Sequence, residues 1–569
     1  RVAGGSRLPA PRGRNPPVEL ECGNYCAAIA CAGPGLRMID GTIQDYALTL
    51  DKVLDHAARW HPDKLVVTAL ADGSRMRTSY ADLRERAQRV SVVLRDLGVA
   101  EGSRVATLAW NSQAHMESWY AIMGMGAVCH TLNPRLTAEQ LAWMLRQSEA
   151  SILIVSSDLQ ALAGDITSRA TGVERILVID PSSSPADSAA LPYAEDLETL
   201  VADAEGEVAW GQFAETTPCG LCFTSGTTGD PKGVTYTHRG NFLHMLRQLQ
   251  ADVSGLTSHD VVLPVVPMFH ANAWGLPFSA PATGAKLVFP GRETDGASLA
   301  RLIAGEGVTV AVGVPTIWLG LMDHLDANDV ELPSLKRVMV GGAPMPPALM
   351  QRMEARGIFV QTTWGMTELS PLGTAAPPGD DRAPECAGRP AIGMDLMLTD
   401  QSGAPLPQQR GVEGHLWVRG SSVVDRYFGQ AQSATKDGWF ATGDLAMLND
   451  AGQLFITGRA KDLIKSGGEW INPAEIEAIL SGLPEIALAA VVGQSHEKWG
   501  ERPVLLVEFR EGQALDDNEV FAALKGKVAS WWIPDKIIRM AAIPLAGTGK
   551  IDKLKLRRLY GAPMEGNKV

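Results

Sequence analysis

Residues 223–234 read FTSGTTGDPKGV. An apolar strand ending at Phe223 runs into Thr224, Ser225, Gly226, Thr227, Thr228 and Gly229, with Lys232 close behind. The glycines let the backbone turn with successive N–H groups pointing inward, which makes a nest for anionic oxygens. Four hydroxyls (Thr224, Ser225, Thr227 and Thr228) add donors, and Lys232 adds a positive charge. Such a loop suits a polyphosphate. The Walker pattern of P-loop enzymes requires GxxxxGK followed by Ser or Thr. Here the spacing is Gly226-x-x-Gly229-x-x-Lys232, so a P-loop kinase or ATPase is the weaker reading.

Outward from this loop, short apolar strands alternate with helical patterns. "LTLDKVLDHAARW" places Leu50, Val53, Leu54, Ala57 and Ala58 on one helical face. "SYADLRERAQRVSVVLRDLGV" predicts a second helix, with Ser79 as N-cap and Gly98 as its stop. "SRVATLAW", "ASILIVSS" and "ERILVID" read as buried strands, with a turn at Asn133-Pro134 between the first two. Alternation of this kind predicts an α/β fold of parallel sheets covered on both faces by helices. It resumes at about residue 218 and runs to about 375, flanked by loops at 181–196 and 375–390. "HLWVRG", "GWFATGD" and "QLFITG" then predict a small β-rich unit, and the residues after 460 a compact α+β unit of about 110 residues.

With 569 residues, a prior of about 150 per domain gives three or four structural units. The formal charge of −13 argues against general nucleic-acid binding, which needs clustered Lys and Arg. No apolar run approaches the roughly 20 residues that span a bilayer, so no membrane anchor is expected. The seven cysteines (22, 26, 31, 129, 219, 222 and 386) are few and odd in number, which favours a reducing cytoplasm over a disulfide scaffold. Cys219 and Cys222 form a CxxC, but on a strand that spacing points the side chains to opposite faces, and two further zinc ligands are not evident. Residues 1–37 carry Arg1, Arg7, Arg12 and Arg14 without a helical or strand period. They are read as a disordered extension or expression remnant ahead of a natural start near Met38, in preference to a transit peptide.

The string "TSGTTGDPKG" resembles the signature of the adenylate-forming superfamily, which groups acyl-CoA synthetases, peptide-synthetase adenylation domains and firefly-type luciferases. "GGAP" (341–344), "TWGMTE" (363–368), "WFATGD" (439–444), "GRAKDLIKSGGEWINPAEIE" (458–477) and "PLAGTGKIDK" (544–553) resemble its other motifs in the same order. "VVPMFHANAWGLPF" and "KDLIKSGGEWI" are most similar to the medium- and long-chain fatty acyl-CoA synthetases.

The resemblance implies an N-terminal domain over 38–458, a hinge at 459–461 and a mobile C-terminal domain over 462–569. It implies ATP, Mg²⁺ and coenzyme A, an acyl-adenylate intermediate, and a homodimer. Lys550 is implied as the catalytic cation, Glu368 and Thr224 as Mg²⁺ ligands, and Lys461 as the hinge residue. Gly341, Gly342, Ala343, Trp364, Gly365, Met366 and Thr367 match the nucleotide-binding positions; Trp364 stands where relatives more often have Tyr. Asp444 and Arg459 match the ribose or phosphate contacts, and Lys465 and Trp470 further nucleotide contacts. Gly467 and Gly468 would let a pantetheine arm approach the backbone closely. Trp274 matches a position gating a fatty-acyl tunnel, with Phe269, His270 and Val314 near it. His270 is read as pocket wall, because a substrate carboxylate is already ionised at pH 7 and needs no general base. The implied activity is an AMP-forming ligation of a medium- or long-chain fatty acid to coenzyme A. An aryl or short thioether acid such as methylthio-propionate, or loading of a carrier-protein phosphopantetheine, are the alternatives.

Overall fold

The computed structural model describes residues 41–180, 191, 193–224, 231–377, 383–547 and 549–561. Two units divide at Tyr46/Ala47. Of the first, only 41–46 are described, without helix or strand. The readings placed on 1–37 and on most of the 181–196 loop lie outside the described residues.

From Ala47 onward local signals and observed elements coincide where capping is strong. The helix Tyr80–Asp96 starts where Ser79 Oγ accepts the Asp82 N–H at 3.1 Å. It buries Leu83, Ala87, Val90 and Leu94, the expected helical stripe. The helix Asp51–Trp60 buries Val53, Leu54 and Ala57 in the same way. A reciprocal capping box, Thr137 with Gln140, opens Ala138–Ser148.

Among the described residues three sheets form the frame. A seven-stranded sheet contains Arg104–Leu108, Val128–Thr131 and Pro218–Phe223 as parallel neighbours, with Gly233–Thr237 added antiparallel at the edge. A fourteen-stranded sheet has a parallel centre of Val261–Pro264, Val310–Gly313, Arg337–Val340 and Phe359–Gly365. These strands are buried on both faces, and the helix Pro315–Asn328 supplies Trp318, Leu321 and Leu325 to the core beneath them. No helix among the described residues is long and apolar enough to cross a membrane.

The β-rich strands expected after 390 are present, at one end of the fourteen-stranded sheet. They continue it through Leu372–Ala375 and Cys386–Pro390, which pair antiparallel and lead to Leu454–Arg459. The segment 375–390, read from its Pro, Gly and Asp content as loop, therefore contains a strand. Gly388 (φ +81°) has Ala375 backbone where a side chain would be, so close strand approach and not a surface turn explains that glycine.

The last sheet has five strands. Ile486–His496 and Gly500–Phe509 form a long hairpin, joined by Ile464–Ser466, Glu469–Ile471 and Lys536–Arg539. Ile476, Leu480, Val520 and Leu524 cover one face from the helices Pro473–Ser481 and Asp517–Leu524. Leu556 of the helix Lys553–Tyr560 packs on Ala490, Val492 and Leu506 of the other face.

Candidate active site

In open parallel sheets, ligands bind beyond the carboxyl ends of the strands. Four of the motif segments fall there because each follows or ends an apolar strand. Thr224 follows Pro218–Phe223, Val314 follows Val310–Gly313, Gly341 to Ala343 follow Arg337–Val340, and Met366 to Glu368 follow Phe359–Gly365.

Asp444 is the best-buried polar group of the set, 1% exposed. Its Oδ2 accepts the Trp364 Nε1–H at 2.9 Å, and Arg459 Nε lies 2.5 Å from Oδ1. Burial raises its carboxyl above the usual value, while Arg459 and the Trp364 N–H work in the opposite direction. The pairing of Trp439–Leu448 with Leu454–Arg459 sets Asp444 directly opposite Arg459. Trp364 is buried against Gly373, where a Cβ would lie 2.5 Å from the indole Cζ3.

Lys550 reaches this group from the last part of the chain. A Cβ added at Gly342 would lie 3.1 Å from Lys550 Cε and 3.3 Å from Val314 Cγ1. Gly342 has φ +81°, so both its conformation and its missing side chain make the cradle for the lysine. Burial, followed by the Arg459 guanidinium, lowers the ammonium to about 8 against the pull of Asp444 and Glu368.

Glu368 is buried, accepts the Tyr427 hydroxyl at 3.0 Å, and is raised by burial. Lys232 Nζ stands 4.8 Å from the centroid of the Tyr427 ring. Tyr427 thus links the lysine of the first motif to Glu368, a part the sequence reading missed because the aromatic pair in "DRYFG" carries no functional pattern of its own. Thr224 N–H donates to the Lys232 carbonyl at 2.9 Å, closing the base of the loop. Ser225, Gly226, Thr227, Thr228 and Gly229 lie outside the described residues. The Thr367 carbonyl accepts the Tyr236 hydroxyl at 3.0 Å, and the Met366 N–H donates to Pro371. Gly365 leaves no room for a side chain against the Pro371 carbonyl, and Ala343 is exposed.

On the other side of Gly341, Trp274 Cη2 would lie 3.1 Å from a Cβ at that glycine, so the indole covers it. Ala271, Asn272, Ala273 and Trp274 all have positive φ, between 43° and 56°. Left-handed backbone costs roughly 1–2 kcal/mol per non-glycine residue. The Gln248 amide holds the turn through the Trp274 carbonyl at 2.9 Å. Phe269 is buried beside it, and burial together with the Lys550 charge keeps His270 neutral, down to about 3.

Four expected residues stand apart. Lys465 and Trp470 pair across the edge hairpin of the five-stranded sheet, with the ammonium 5.4 Å from the indole centroid. Gly467 and Gly468 (φ +61° and +96°) form its turn, all four exposed. Lys461 lies in the short turn Ala460–Asp462, its carbonyl accepting from Arg557 at 3.3 Å. Cys129, Cys219, Cys222 and Cys386 are free and buried, and among the described residues no cluster of three His, Cys, Asp or Glu could hold a metal.

Residues 54–428 match the AMP-binding enzyme family, and residues 475–550 match the AMP-binding enzyme C-terminal domain. The chain is 40% identical over 538 residues to a 3-methylmercaptopropionyl-CoA ligase of Ruegeria lacuscaerulensis, covering 92% of this chain and 100% of that one. It is 39% identical over 533 residues to a medium-chain-fatty-acid–CoA ligase of Ectopseudomonas oleovorans, covering 92% and 97%. Among solved structures, ATP-bound MatB from Rhodopseudomonas palustris is similar with a TM-score of 0.79 at 26% identity, covering 91% of this chain and 99% of that one. The chain therefore belongs to the AMP-binding enzyme family, the adenylate-forming enzymes, and its place among them is with the AMP-forming acyl-CoA ligases.

Proposed function

We propose that the chain activates an apolar carboxylic acid of short to medium length as its acyl-adenylate, with Lys550 as the cation at the reacting centre, and passes the acyl group to coenzyme A. The observation that carries this reading is the Lys550 side chain lodged against Gly342, among Asp444, Arg459 and Glu368. The acid's carboxylate attacks the α-phosphorus of ATP, a C(O)O–P bond forms, and pyrophosphate leaves with the electrons of the broken P–O bond. Negative charge shifts through the phosphate oxygens, and a fixed ammonium stabilises it without reorganising. In the second half the thiol sulfur attacks the acyl carbon and AMP departs.

Asp444 accepts from the ribose hydroxyls, with Arg459 fixing its carboxylate. Gly341, Gly342 and Trp364 line the base, and the 224–232 loop takes the triphosphate. A lone buried carboxylate suits Mg²⁺, which draws most of its ligands from phosphate oxygens and water. Glu368 and the Thr224 hydroxyl would hold it, and the ion would offset charge on the departing pyrophosphate. Gly467, Gly468, Lys465 and Trp470 lie on another face, and their use for coenzyme A requires rotation about Lys461. The family resemblance supports a homodimer, and the buried thiols accord with a reducing cytoplasm.

The position of Trp274 supports a short to medium acid. An indole over Gly341 would close the pocket a short way behind the carboxylate, which suits a thioether such as 3-methylmercaptopropionate or a linear alkyl acid of the same length. Longer chains need the indole to move, at a gain of about 0.8 kcal/mol per CH₂ buried. Specificity constants for propionate through palmitate, 3-methylmercaptopropionate and a phenyl acid test this. The expected optimum lies among acids of the length of 3-methylmercaptopropionate to octanoate, with palmitate a poorer substrate. Trp274→Ala shifts it to longer acids; an unchanged profile removes Trp274 from the pocket.

The pH profile tests Lys550 separately. A lysine lowered to about 8 is charged below that pH and neutral above it. kcat/KM for ATP therefore falls about tenfold per unit above pH 8, since this parameter reports the free enzyme. In kcat the fall begins at higher pH, because bound triphosphate favours the ammonium. A flat kcat/KM between pH 7 and 10 contradicts the role.

A further inference from the structure

Residues 545–547 and 549–551 pair as the two arms of a small hairpin that carries Lys550. Leu545 bridges to Ile551, the Ala546 N–H donates to the Lys550 carbonyl at 2.6 Å, and the Gly549 N–H donates to the Ala546 carbonyl at 2.8 Å. Two carbonyls near its tip are taken by side chains from distant parts of the chain. Thr316 Oγ1–H donates to the Gly549 carbonyl at 3.0 Å, and Arg135 Nη1–H donates to the Gly547 carbonyl at 3.1 Å.

The surroundings of both donors are shaped for this approach. A Cβ at Gly547 would lie 2.8 Å from Asn133 Nδ2 and 3.3 Å from Arg135 Cβ. At Gly549 (φ +81°) it would lie 3.1 Å from Val314 Cγ2 and 3.3 Å from Thr316 Oγ1. The Asn133-Pro134 turn presents Arg135, whose N–H donates to Asn133 Oδ1 at 3.0 Å. The Arg135 guanidinium also lies 5.9 Å from the centroid of Phe269, on the acid side of the site. Thr316 sits in the first turn of the helix Pro315–Asn328, two residues after Val314, which touches both Gly342 and Gly549. A third link, Arg510 to Asp323 at 3.2 Å, reaches the same helix farther along.

We propose that Arg135 and Thr316 are positioning residues that latch the hairpin by its Gly547 and Gly549 carbonyls, holding Lys550 in the adenylating position and letting go before the thiol step. The proposal rests on the assignment of Lys550 above. Both donors bind backbone, so they fix where the hairpin runs without touching the reacting atoms. Both come from the large domain, so both bonds break whenever the hairpin withdraws from it. The latch therefore acts on one half-reaction, whereas a residue that merely maintains the fold acts on both.

The test measures the two half-reactions separately, using whichever of octanoate and 3-methylmercaptopropionate the unaltered enzyme activates faster. Adenylation is read as acid-dependent exchange of labelled pyrophosphate into ATP, and the thiol step as consumption of supplied acyl-adenylate by coenzyme A. Thr316→Val and Arg135→Ala each lower exchange roughly tenfold, the scale of one lost hydrogen bond. Thr316→Ser, which keeps the hydroxyl, restores it, and the thiol step stays equal or becomes faster. Exchange unchanged in the Thr316→Val/Arg135→Ala double variant, or both half-reactions falling together, overturns the latch. Lys550→Ala is run in parallel. If it abolishes exchange while the double variant does not alter the ratio of the halves, the latch alone is wrong; if it leaves exchange intact, the assignment beneath the latch is wrong.

Discussion

Lys550→Ala lowers acyl-adenylate formation by about 10²–10³-fold, the usual cost of removing one fixed donor from a site where charge develops. Consumption of supplied acyl-adenylate by coenzyme A stays within a few-fold of the unaltered enzyme. The asymmetry follows from geometry. The ammonium lies at Gly342 beside Asp444 and Arg459, which under the proposed assignment is where the carboxylate attacks the α-phosphorus. Alanine removes the charge without disturbing its neighbours, since Asp444 keeps both Arg459 and the Trp364 N–H. Single-turnover measurement of each half-reaction decides the matter. Equal loss in both halves would assign Lys550 to structure or to a shared step.

Asp444→Ala raises the KM for ATP by about 10–100-fold, corresponding to the roughly 1.5–3 kcal/mol of a hydrogen bond to a charged group. The buried carboxylate has two functions in this account: it accepts from the ribose, and it holds Arg459 and Trp364 in place. Asp444→Asn keeps an acceptor for the indole N–H and loses the charge, so its KM falls between those of the parent and the alanine variant. Initial rates over a range of ATP at saturating acid provide the check. An unchanged KM with a reduced kcat would move Asp444 from nucleotide binding to the chemical step.

Much of this site can be read from the sequence because several of its motifs follow a strand. A strand that ends in Val340 and continues as Gly341-Gly342 can place only backbone at the sheet's edge, and "GGAP" says so without coordinates. Ser79 and the stripe beneath it specify their helix in the same direct way. Other parts are silent for physical reasons. The strand Cys386–Pro390 is short, and its Gly388 and Pro390 look like turn residues until its neighbour Ala375 is known. Thr316 and Arg135 bond to carbonyls, which every residue has, so no partner type in the sequence points to them. Tyr427 meets Glu368 across 59 positions and Lys232 from still farther along the chain, in the manner of a tertiary contact with no local signature.

The central claim is that an acid and a nucleotide are joined as a mixed anhydride before sulfur takes part. Exchange of labelled pyrophosphate into ATP, with acid present and coenzyme A absent, tests it most directly. The account predicts label in ATP only when an apolar acid is supplied, with AMP and not ADP released once coenzyme A is added. Absence of exchange with every acid from propionate to palmitate, 3-methylmercaptopropionate included, or release of ADP, would contradict it.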